Sequence, residues 1–188
     1  MADTGDFKNG TFFLFNGKPC QLIYFQHVKP GKGNTIVRTR FKDLETGKIL
    51  ENTYLAGTRI DFITVERRPY QFLYKDDMGY HFMHKETFEQ IDLGEDFIEN
   101  ADLMKDGQDV EMMFWADEDK CLTCELPQFV ELKITYTEPA VKGNTASTNA
   151  LKEATLETGA KVMVPLFVNE GDVIRVKTVD RSYGERVR

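Results

Sequence analysis

Turn signals cut this chain into short pieces, and their spacing restricts the possible folds more than any other feature. Asn16-Gly17-Lys18-Pro19, Lys29-Pro30-Gly31-Lys32-Gly33-Asn34, Glu45-Thr46-Gly47, Asp76-Asp77-Met78-Gly79 and Asn169-Glu170-Gly171-Asp172 set glycine or proline beside small polar residues, the composition in which a chain reverses with least strain. Between them, residues 11–15, 21–28, 35–41 and 70–74 are rich in β-branched and aromatic side chains and read as strands. Further on, Val130, Leu132, Ile134 and Tyr136 alternate with Glu131, Lys133, Thr135 and Thr137, which turns the first four toward a core and the others toward water. The main helical candidate is residues 94–104, where Phe97, Ile98, Ala101 and Met104 fit a helical stripe behind an acidic first turn, a short helix suited to plugging a barrel end. The fold class is therefore all-β, with short antiparallel strands closing into small barrels.

A chain of 188 residues has room for one large domain or for several small ones. Composition shifts near Thr64-Val65 and near Leu126-Pro127-Gln128 favour three units, 1–64, 65–128 and 129–188, and hence three β-barrels in series. Hydrophobic residues at 41% supply the cores and charged residues at 29% keep the surfaces wet, so the class is globular rather than disordered. The opening Met1-Ala2-Asp3-Thr4-Gly5-Asp6 has no basic and apolar leader pattern, and no later run is apolar enough for a span, which points to the cytoplasm and to no membrane partner. Three cysteines in such a chain read as reduced thiols rather than a disulfide framework,.

The net charge of -7 is unevenly placed. Residues 1–64 hold nine Lys/Arg against six Asp/Glu, residues 65–128 six against seventeen, and residues 129–188 nine against eight. An acidic middle between two faintly basic ends can orient a molecule on an RNA surface, although three solvated surfaces would look the same.

The sharpest local feature is Lys29-Pro30-Gly31-Lys32-Gly33-Asn34 between two strand patterns. Pro30 restricts the backbone, the glycines supply turn dihedrals, and neither glycine crowds Lys32. Lys32 thus stands alone at a hairpin tip, where a long-stemmed ammonium can enter a narrow phosphate-lined space or be acylated by another enzyme. A phosphate-binding loop is excluded, because it needs a Gly-x-x-x-x-Gly-Lys-Ser/Thr run opening a helix and Asn34-Thr35-Ile36-Val37 opens a strand,. Cys121, Cys124, His81 and His84 allow a zinc or redox site to be written, but positions i and i+3 of a strand face opposite ways. No metal site, cofactor or catalytic constellation is called. Arg181-Ser182-Tyr183-Gly184-Glu185-Arg186 gathers guanidinium groups around one tyrosine, a set suited to phosphates and stacked bases and equally to a basic closing strand,. Residues 142–150 read as an exposed polar loop. Besides the zinc or redox reading, a general RNA-binding module is the alternative these residues leave open.

Three stretches resemble the elongation factor P family: Val28-Lys29-Pro30-Gly31-Lys32-Gly33; Phe88-Glu89-Gln90 after His81-Phe82-Met83; and residues 154–168, ending Val164-Pro165-Leu166-Phe167-Val168, followed by Glu170-Gly171-Asp172. The similarity runs from about Phe7 to Val187 and implies an SH3/KOW-like barrel followed by two OB-type barrels in an L shape. The implied activity is non-enzymatic. Such a factor binds the ribosome and its rRNA beside peptidyl-tRNA, stimulates peptide-bond formation and relieves stalling at consecutive prolines, as a monomer without a cofactor. Lys32 matches the family's tip lysine, which lies near the end of peptidyl-tRNA and is often modified by a dedicated enzyme. Gly143, Asn144 and Thr145 match a loop near the small subunit, with Asn144 where the family commonly has Asp, and Tyr183 and Arg186 match residues that are usually functional. The related eukaryotic and archaeal hypusine-bearing factor lacks a third barrel, so residues 129–188 fit the bacterial type.

Overall fold

A computed structural model of the chain describes residues 2–139 and 150–187. Fourteen strands and three short 3-10 turns form the regular structure among these residues, so the protein is all-β as its turn spacing predicts. The described residues fall into two compact units, one drawn from Met1–Arg68 and Met112–Thr123, the other from Pro69–Glu111 and Cys124–Arg188.

The first sheet is a meander of β1 (Phe12–Phe15), β2 (Lys18–Val28), β3 (Ile36–Asp43) and β4 (Ile49–Leu55) in sequential order. Asn16 and Gly17 join β1 to β2 with φ of 51° and 78°, the left-handed pair that matches the twist of a two-residue hairpin. Inward alternation along β2 and β3 buries Cys20, Leu22, Val37 and Phe41 with Phe7, Phe13 and Ile60. The rings meet edge to face, Phe13 and Phe41 at 5.3 Å and 76°, an arrangement that adds to the burial of their area.

The second sheet runs β7-β6-β5-β8-β9, from β5 (Val65–Asp76), β6 (Gly79–His84), β7 (Gln90–Leu93), β8 (Asp109–Trp115) and β9 (Lys120–Glu125). The predicted helix over 94–104 is not formed. Two 3-10 turns, Glu95–Phe97 and Ala101–Leu103, take its place. Between them Asn100 adopts the left-handed region at φ 55°, ψ 41°, which Asn tolerates better than most residues. Its side-chain Nδ2 donates to the Thr178 carbonyl at 2.7 Å. A tertiary hydrogen bond thus overrides a weak helical pattern. Leu103, fully buried, packs into the core of the third sheet.

That third sheet has the order β12-β11-β10-β13-β14, from β10 (Phe129–Thr137), β11 (Leu151–Leu156), β12 (Lys161–Pro165), β13 (Val173–Lys177) and β14 (Ser182–Arg186). The end strands β12 and β14 approach one another, so the sheet curls toward closure and hides its edges. Val130, Leu132 and Ile134 are buried as the alternation predicts, but Tyr136 is 58% exposed. The register shifts between Ile134 and Tyr136, and one extra residue turns the ring to the other face.

Candidate functional site

The β2–β3 ladder ends at the pair Val28 and Ile36, leaving a short loop over 29–35 in which Lys29, Pro30, Gly31, Lys32, Gly33 and Asn34 are exposed and Thr35 is half-buried. Gly33 has φ 122°, a conformation that side chains rarely adopt. A Cβ there would meet only Pro30 Cγ at 3.8 Å, and one at Gly31 would meet nothing within 4 Å. Glycine is therefore required at 33 by backbone conformation and not by crowding. Among the described residues Lys32 makes no ion pair. Its ammonium is free to be presented beyond the end of an eight-residue strand, β3, paired on both sides.

Tyr183 and Arg186 lie on β14, and a register shift between Arg175 and Val176 accommodates them. Tyr183 packs partly into the third core and meets Phe167 edge to face at 6.4 Å and 82°. It also lines a groove of about 520 Å³ with Leu151, Met163, Arg181 and Ser182. The exposed Arg186 guanidinium lies 3.6 Å from the half-buried Asp172, a long pairing that an anionic ligand can replace at modest cost. The tip and the β14 residues belong to different units. Gly143, Asn144 and Thr145 lie outside the described residues.

The Cys and His residues are otherwise engaged. On β9, Cys124 is buried beside Leu122 while Cys121 alternates to the opposite side. Burial pushes the Cys121 thiol up to about 11, which removes thiolate character at neutral pH. His84 Nδ1 accepts from the Glu86 and Thr87 amides at 3.2 and 3.1 Å. His81 lies between two carboxylates, Nε2 to Asp76 at 2.8 Å and Nδ1 to Asp92 at 2.6 Å. The neighbouring Asp76 carboxylate raises its pKa above the ordinary value. Among the described residues no three His, Cys, Asp or Glu side chains are grouped to hold a metal ion.

Reading the sequence alone misses two sets of residues. One is the outward row Tyr24, Arg38 and Arg40 on β2 and β3, whose only trace is the alternation of charge along β3. The other is the bidentate Arg181 to Asp102 pair, at 3.0 and 2.6 Å, which has no sequence trace because its partners lie far apart in the chain.

Family models cover nearly the whole length: "Elongation factor P (EF-P) KOW-like domain" matches residues 3–60, "Elongation factor P (EF-P) OB domain" residues 65–122, and "Elongation factor P, C-terminal" residues 130–186. The chain belongs to the elongation factor P family. Its similarity to "Elongation factor P 1" of Porphyromonas gingivalis is 52% identity over 188 residues, covering 100% of both chains. With "Elongation factor P" of Amoebophilus asiaticus it is 50% over 188 residues, covering 100% of this chain and 98% of the other. A solved structure titled "Eukaryotic translation initiation factor 5A from Methanococcus jannaschii" shares the fold, with a TM-score of 0.53 at 21% identity, over 65% of this chain and 92% of its own. The protein is thus a translation elongation factor by family, and no helix among the described residues is long and apolar enough to cross a membrane.

Proposed function

We propose that this chain binds the ribosome beside peptidyl-tRNA and stimulates peptide-bond formation where consecutive prolines stall synthesis, with Lys32 as the group presented to the reacting end. The observation that carries the reading is the tip itself: a lysine without an ion-pair partner among the described residues, on a short loop held by a long hairpin. Such a lysine suits a positioning role. Proline is a rigid and poor nucleophile, and a contact that holds the peptidyl-tRNA end in its reactive pose lowers the barrier by reducing lost motional freedom. No proton transfer or covalent step is asked of this protein, and the ribosome remains the catalyst. An amine so exposed is also accessible to a lysine-modifying enzyme, and a longer modified side chain would extend its reach.

In this reading residues 1–64, 65–128 and 129–188 act as three modules of a cytoplasmic monomer. Gly143, Asn144, Thr145, Tyr183 and Arg186 supply further contacts to the ribosome. Asn144 keeps a hydrogen-bonding oxygen where the family commonly carries a carboxylate, so its contact does not depend on charge.

The test is the rate of Pro-Pro-Pro synthesis in a reconstituted translation system, with wild type and with Lys32→Ala, alongside the intact mass of natively purified protein. Wild type speeds the reaction, and Lys32→Ala returns it to the rate without factor while melting at the wild-type temperature. An added mass at Lys32 identifies the modification. Failure of the native-mass protein to stimulate would refute the reading.

A further inference from the structure

The outer face of the first sheet holds a second built feature. On β3, Val37, Thr39 and Phe41 are buried while Arg38 and Arg40 point outward. The register sets Tyr24 and Gln26 of β2 against Arg40 and Arg38, and Glu51 and Thr53 of β4 against the same two on the other side. Two rows cross three strands, Tyr24-Arg40-Glu51 and Gln26-Arg38-Thr53, and these six residues line a groove of about 430 Å³.

Tyr24 reaches this face through a defect in the pairing. Leu22 is buried, and plain alternation would bury Tyr24 as well, but the ladder shifts between Leu22 and Tyr24 and leaves the ring 49% exposed. Bulges that re-aim a side chain are commonly found beside functional sites. Arg40 is held by Glu51 at 3.5 Å, whereas Arg38 makes no ion pair among the described residues.

A half-exposed ring, a free guanidinium two strand positions away, and amide, hydroxyl and carboxylate groups at the margins together match the parts of a nucleotide. The ring offers a face to a base, Arg38 offers a fork to one phosphate, and Glu51 can accept from an exocyclic amino group. We propose that this face binds a single unpaired RNA nucleotide, its base on Tyr24 and its phosphate on Arg38. An acidic peptide fits less well, since it would leave the ring unused and meet the Glu51 carboxylate. The proposal rests on the ribosomal reading above only for the source of the RNA. β2 and β3 are the strands that lead to Lys32, so a nucleotide held here would steady the hairpin that carries the tip.

The test uses the full chain and a fluorescently labelled single-stranded RNA heptamer, with affinity followed by anisotropy across a salt series and the Pro-Pro-Pro assay run in parallel. Tyr24→Phe keeps the stacking face and binds as wild type, Tyr24→Ser weakens binding about ten-fold or more, and Arg38→Gln weakens it and flattens the log-affinity against log-salt slope by about one. Wild-type binding by Tyr24→Ser and Arg38→Gln overturns the site, as does polyglutamate binding in place of the heptamer. Heptamer binding with those variant effects but no stimulation of proline synthesis supports the site and refutes the ribosomal reading. Stimulation by wild type and Tyr24→Ser alike, with no variant effect on the heptamer, does the reverse.

Discussion

At the residue scale, His81 is the group whose charge the structure constrains most. Both ring nitrogens face carboxylates, Asp76 at 2.8 Å and Asp92 at 2.6 Å, and the ring stacks on Tyr74 at 4.5 Å and 24°. An imidazole with two acceptor neighbours is best satisfied when both nitrogens carry protons. Its folded pKa is raised from 6.5, chiefly by the Asp76 carboxylate, and that of Asp76 is lowered from 3.8, chiefly by His81. A raised histidine contributes stability that is full below its unfolded value and is lost as pH rises through the folded value; a lowered carboxylate contributes above its unfolded value and loses that as pH falls. The clamp is therefore strongest between 3.8 and 6.5. His81→Gln should melt below wild type at pH 5.5, and the gap should narrow by pH 8.5; a gap independent of pH would refute a charged clamp. None of this was legible beforehand, because Asp76 and Asp92 reach His81 only through the register of β5, β6 and β7. Lys32 was legible, since the glycines and proline that isolate it are its sequence neighbours.

At the scale of elements, glycines that look alike in sequence hold different duties. Gly79 ends the Asp76-Asp77-Met78 turn at φ 138°, and a Cβ there would lie 2.7 Å from the Leu93 carbonyl oxygen on the neighbouring strand. Gly31 faces open space. Gly79→Ala should cost about 2 kcal/mol or more, from backbone strain and the displaced strand, whereas Gly31→Ala should be neutral or stabilise by about 0.5 kcal/mol through a less flexible unfolded chain. Urea melts of the two variants decide this, and equal destabilisation would contradict it. Strands were read well wherever hydrophobic period and turn chemistry agreed, as from β1 to β3. The misread elements share one cause. The 94–104 segment was decided by Asn100 bonding to Thr178, and the facing of Tyr136 by a bulge, and both depend on partners that periodicity cannot supply.

At the scale of the whole molecule, the uneven charge has a kinetic consequence for the proposed ribosome complex. A net charge of -7 approaching a polyanion is repelled at long range,. The repulsion is concentrated in residues 65–128, where seventeen Asp/Glu face six Lys/Arg, while residues 1–64 hold an excess of cations. Such a field should orient the encounter, favouring approach by the basic end at some cost in rate. Asp77 and Glu86 are exposed and are not among the residues of the tip or the nucleotide groove, so replacing them changes the field without removing a proposed contact. Asp77→Asn with Glu86→Gln should raise the association rate with ribosomes at low salt, leave the dissociation rate unchanged, and lose its advantage as the Debye length shrinks from ~30 Å at 0.01 M to ~10 Å at 0.1 M salt. Arg38→Gln should act the other way, raising the dissociation rate rather than the association rate, because it removes a phosphate contact. Stopped-flow traces at two ionic strengths separate the cases. An unchanged association rate in the acidic double variant would show that residues 65–128 take no part in steering and that their carboxylates serve only as a solvated surface.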